Sequence, residues 1–171
     1  AIGTIELTVL ADDGWQTRFF VLTIAIKLDP VLDAPNGPGT VTGGPTLYVA
    51  TVPAFAPLDF SIRATDGDPQ QPLTITATIT GGTITPSVAG FASTFPHHTS
   101  GTSPLTLDFA GFAGTTEGTV VIRIEARDSV VGLDTVYLAV TIVAQPPQFT
   151  NAPQIEAEAG RLWQYMPQVV A

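Results

Sequence analysis

The chain of 171 residues is 44% hydrophobic and 12% charged, which excludes a disordered tail or a highly charged helical protein and allows a substantial core. Fifteen acidic residues against six basic ones give a net charge of −9, a surface that nucleic-acid phosphates would repel. The sequence has no cysteine, which removes disulfides, zinc–thiolate sites and cysteine nucleophiles.

From the start, Ile5, Leu7, Val9 and Ala11 fall at every second position and read as one strand. Phe19 to Ile26, the most apolar stretch, suits a second strand and is far too short for a membrane span. Trp15 falls at the tip of the loop between them. Lys27 to Pro45 is proline-rich and unpatterned, and reads as a stiff linker. Seven strands are then expected near residues 46–51, 57–64, 72–80, 83–87, 104–109, 118–126 and 134–144. Period-two alternation defines them, as in Leu58, Phe60, Ile62 and Ala64, or Val136, Leu138, Val140 and Ile142. Gly and Pro punctuate the breaks, at Gly43-Gly44-Pro45, Asp66-Gly67-Asp68-Pro69, Gly81-Gly82 and Gly111 to Gly114. His97 and His98 fall in an apparent loop, and Ala144 to Pro153 reads as a second linker. Such a series of short antiparallel strands predicts a two-sheet β-sandwich. Phe60, Ile75, Leu107, Ile122, Ile124 and Leu138 occupy the apolar phase and are the expected core.

The chain also resembles itself. Gly3 to Asp13 aligns without a gap on Gly118 to Asp128, placing Ile5, Leu7, Val9 and Ala11 on Val120, Ile122, Ile124 and Ala126. After a length difference in the following turn, Leu22-Thr23-Ile24 matches Val140-Thr141-Ile142. Leu58 to Ala64 matches Tyr165 to Ala171, again in phase. A fixed period with a common apolar face marks a repeat array. The expected organisation is the last strands of one sandwich over 1–29, a complete sandwich over 30–145, and the first strands of another over 146–171. The incomplete ends would expose strand edges and half a core, so both are expected to pair with other polypeptide. Continuation of the chain and strand donation between subunits are the two routes, and the strand count favours continuation.

The run Gly118 to Asp128, followed by a Thr/Val strand, resembles the closing strands of cadherin-like and bacterial immunoglobulin-like repeats of the dystroglycan-type cadherin group. Arg63-Ala-Thr-Asp-Gly-Asp68 is similar to the segment after their second strand, and Pro153 to Gly160 running into Tyr165 to their opening strand. The resemblance implies tandem all-β immunoglobulin/cadherin-like sandwiches, one complete with partial repeats at both ends, in a secreted or surface-anchored protein. It also implies Ca²⁺ at the joint between repeats.

The residues allow that metal. Asp66 and Asp68 in one loop, Asp128 in another, and Asp29 and Asp33 in the preceding linker would share one end of the sandwich, and Ca²⁺ takes six to eight oxygens. Against it, Asp-Gly is ordinary turn chemistry, and the second junction, Ala144 to Phe149, has no carboxylate. His97-His98 near Ser100 lacks a nucleophile elbow and an orienting third group, so no enzyme activity is expected. Trp15 and Trp163 are each expected to pack at an interdomain contact or to cap a sandwich.

The leading expectation is a structural or adhesive segment of an extracellular fibre, stalk or cell-surface protein, which assembles with neighbouring repeats or copies of itself through strand pairing and forms filaments. The alternatives are a glycan- or protein-binding module and an accessory spacer of a secreted enzyme.

Overall fold

The computed structural model describes residues 3–129, 132–145, 148–149, 159 and 168–170. In chain order the elements begin with β1 (Gly3–Asp12), β2 (Thr17–Ile26), β3 (Val31–Leu32), β4 (Thr40–Gly43) and β5 (Leu47–Pro53). Next come β6 (Phe60–Thr65), β7 (Pro72–Gly82), the short helix α1 (Pro86–Ala89), β8 (His97–Thr102) and β9 (Leu105–Phe109). β10 (Gly118–Asp128), β11 (Leu133–Val143), β12 (Gln148–Phe149) and β13 (Val169–Val170) complete the described elements. Among the described residues the protein is all-β apart from that one helical turn.

Two sheets share one core. The larger has the order β4-β5-β11-β10-β7-β8 and the smaller β3-β6-β9. From the smaller sheet Phe60, Ile62, Leu107 and Phe109 meet Leu73, Ile75, Ile122, Ile124, Leu138 and Val140 of the larger, all of them buried. The six core residues expected from alternation are among them, divided between the two sheets. The rings of Phe60, Phe91 and Phe109 contact one another stacked or tilted, with Phe95 edge-on to Phe109. Core residues run from Leu32 to Ile142.

Several local expectations change. The segment read as a linker over 27–45 is built into the sheets: β3 pairs with β6, and β4 forms a hairpin with β5. No strand forms over 83–87: residues 83–85 are irregular and lead into α1. Thr85 Oγ1 caps it by accepting from the Val88 N–H at 3.4 Å, Pro86 opens it, and Gly90 at φ 93° ends it. His97 and His98 lie in β8, an edge strand on β7, and not in a loop. Among the described strands pairing is antiparallel except for β5 and β11, which run parallel through seven residue pairs from Tyr137–Leu47 to Val143–Pro53. The reading of Trp163, all of Pro153 to Gly160 except Ala159, and most of Tyr165 to Ala171 fall outside the described residues.

β1 and β2 form a separate two-stranded sheet whose ladder copies that of β10 and β11. Gly3 faces Ile26 and Leu7 faces Leu22, as Gly118 faces Ile142 and Ile122 faces Leu138. Leu22, Ile24 and Ile26 therefore correspond to Leu138, Val140 and Ile142, two residues away from the match read in the sequence. A slip of two keeps every side chain on its face, so alternation could not reveal it.

Candidate functional site

The β1–β2 hairpin is the most unusual surface. Its turn is tightly specified: Asp12 Oδ1 accepts from the Gly14 N–H at 2.7 Å, and Asp13 Oδ1 from the Gln16 and Trp15 N–H groups at 2.7 and 2.9 Å. Thr17 Oγ1 donates to Asp12 Oδ2 at 3.0 Å, and Gly14 supplies a φ of 85°. The Gly14 N–H and then the Thr17 hydroxyl hold the Asp12 carboxyl below the ordinary aspartate range. The Gln16 and then the Trp15 N–H do the same for Asp13. Trp15 stands at the tip, 94% exposed.

Ile5, Leu7, Val9, Phe20, Leu22, Ile24 and Ile26 line one face of the hairpin, and all are exposed. Their counterparts on β10 and β11 are buried in the core. Leu22 is 47% exposed, whereas Leu138, its counterpart, is 0% exposed. A contiguous apolar face of this kind marks a contact surface.

The five carboxylates singled out in the sequence lie around the end of the sandwich where β3 begins. Leu28 approaches Gly67 there, Pro30 approaches Gly132, and the Leu32 N–H donates to Asp134 Oδ2 at 2.8 Å. Each loop uses its aspartates on its own backbone. Asp66 Oδ1 accepts from the Asp68 N–H at 2.8 Å, Asp68 Oδ1 from the Gln70 N–H at 3.1 Å, and Asp128 Oδ1 from the Gly132 N–H at 2.8 Å. Asp33 pairs with Arg63 at 3.5 Å, and Asp29 is exposed. Asp66 Oδ2 is buried without a hydrogen-bond partner. Among the described residues no three His, Asp or Glu side chains come close enough to hold a metal ion. Asp134, which ties β3 to the start of β11, was not singled out in the sequence, where it is one polar residue in a Thr/Val strand.

Two further features lie elsewhere. An open cleft of about 630 Å³ is lined by Pro86, Ser87, Phe91, Thr94, Phe95 and Pro96, with Phe91 and Phe95 edge to face. His97, next to it in sequence, has Nε2 3.1 Å from the Asp108 carbonyl oxygen. At the end of the sandwich where β11 finishes, Phe55 is exposed with a φ of 64°, an uncommon conformation for a bulky residue. Its N–H bonds the Ala113 carbonyl at 2.9 Å, and the neighbouring Ala54 N–H bonds that of Val143 at 2.9 Å.

No family model matches the chain, and comparison with curated proteins finds no relative.

Proposed function

We propose that the protein is a load-bearing repeat segment of an extracellular fibre, stalk or cell-surface protein. The observation that carries this reading is the parallel β5–β11 ladder set between opposite ends of one sandwich. The chain enters the core at Leu32, beside Asp134 at the start of β11, and leaves after Val143 at its finish. Tension between those points runs along β5 and β11 and loads their hydrogen bonds together, in shear.

The strand arrangement supports an immunoglobulin/cadherin-like type. β7, β10 and β11 are neighbours in one sheet and β3, β6 and β9 in the other, while the opening segment serves both sheets through β3 and β5. The β1–β2 copy of the β10–β11 ladder supports a tandem array.

Stretching single molecules from their two ends tests this reading. Residues 31–143 should unfold in one cooperative high-force event that adds about 350 Å of chain. Gradual lengthening at low force would contradict it. A binding module is the second reading, favoured by the Phe91–Phe95 cleft. Retention on a glycan or peptide array that is lost in Phe95→Ala would support that alternative.

A further inference from the structure

The apolar face of β1–β2 has a template for its cover within the same chain. On β10 and β11 the equivalent face is covered by the smaller sheet, with Phe60 and Ile62 of β6 among the buried residues. The sequence match of Leu58–Ala64 to Tyr165–Ala171 puts Val169 in the place of Ile62 and Val170 in that of Arg63. Gln148 pairs with Val170 in β12–β13, as Asp33, whose N–H bonds the Arg63 carbonyl at 2.8 Å, sits beside β6. The chain thus carries a second copy of the covered hairpin and the beginning of a second copy of the ladder that covers it.

These two pieces leave the central sandwich from opposite ends. β2 leads to Leu32, beside the start of β11, while residues 148–170 follow Val143 at its finish, roughly 35 Å away along eleven residues of strand. A contact between them across two molecules is head-to-tail and does not close on itself. We propose that the apolar face of β1–β2 is a docking surface for residues 148–170 of a second copy, so that copies add end to end in a line. The inference rests on the repeat reading above and names the partner of that repeat. In the contact, the Val169 strand lies across Leu7, Leu22 and Ile24, as β6 lies across Ile122, Leu138 and Val140, and the bare hairpin face is removed from water.

Sedimentation velocity with two variants of the 171-residue chain, Leu22→Asp and Val169→Asp, tests the proposal. Leu22 is exposed and outside the central core, and circular dichroism should report a folded sandwich in both variants. The unmodified protein should grow in mass with concentration. Each variant alone should remain a monomer, because Leu22→Asp spoils one end and Val169→Asp the other. Their equimolar mixture should form dimers, doubling the mass of either variant, and go no further. The mixture works even where the Leu22→Asp hairpin is disordered, because that variant supplies only residues 148–170. Self-association of Val169→Asp alone would mean that two hairpins pair face to face, and would overturn the proposal. An unmodified protein that stays monomeric at every concentration would overturn it too, while leaving the stretching result, and with it the load-bearing reading, intact.

Discussion

Leu22 and Leu138 occupy the same place in two matching ladders, facing Leu7 and Ile122 respectively. Replacing each by Ala removes the same atoms from two environments. Leu138 is 0% exposed and lies among core residues from both sheets, so Leu138→Ala loses burial and leaves a cavity. Its cost should be about 2–5 kcal/mol. For a domain of this size, that lowers the midpoint of thermal unfolding by about 10 °C. Leu22 is 47% exposed, so about half of its ~2 kcal/mol of burial is absent from the start and no cavity forms. Leu22→Ala should therefore cost about 1 kcal/mol or less in dilute protein. Urea unfolding followed by far-ultraviolet circular dichroism measures both. Equal losses in dilute protein would refute the reasoning, since the two faces would then be equally covered. A Leu22→Ala cost that rises with protein concentration would show the hairpin face becoming covered by another molecule.

Asp12 and Asp13 carry lowered carboxyl pKa values, so their stabilisation of the turn is present above the unfolded aspartate value of about 3.9 and lost as pH falls through the lower folded values. The Gly14, Trp15 and Gln16 amides should lose hydrogen-exchange protection over that acid range, and Asp12→Asn with Asp13→Asn should flatten the response. Gly90→Ala should cost more than about 1 kcal/mol in urea unfolding, because φ is 93° and the new methyl would strike the Phe112 carbonyl. Added Ca²⁺ or EDTA should leave the melting temperature unchanged, because the loop aspartates are engaged in capping their own turns. A calcium-dependent rise abolished by Asp66→Asn would instead show that Asp66 Oδ2 takes up a cation.

Alternation made the buried faces of β6, β7, β9, β10 and β11 legible, because each of these strands has one side in the core and the other toward solvent. It failed where that contrast is missing. β8 is His-His-Thr-Ser-Gly-Thr, polar on both faces, as an edge strand can be. β3 has two residues and β4 four, too few to set a period. Thr83 to Ser87 has the β-branched content of a strand, but Thr85 before Pro86 is also a helix start, and the Gly90 turn decides for the helix. The grouping of the carboxylate loops at one end could be read from strand order. The spending of Asp66, Asp68 and Asp128 on their own loop backbones could not, since Asx turns and cation sites use the same residues. The hairpin's resemblance to β10–β11 was legible from eleven aligned residues, whereas its exposure depends on packing partners that a repeat pattern does not locate.

The sequence contains no cysteine, so a single thiol at Leu22→Cys reports directly on the β1–β2 face. Its rate of reaction with a maleimide should be fast in dilute protein and fall at least tenfold as concentration rises and the face is covered. A control thiol at Thr23→Cys, on the opposite face of the same strand, should react at an unchanged rate. Equal, concentration-independent rates at the two positions would contradict the claim that this face is a docking surface for a second copy.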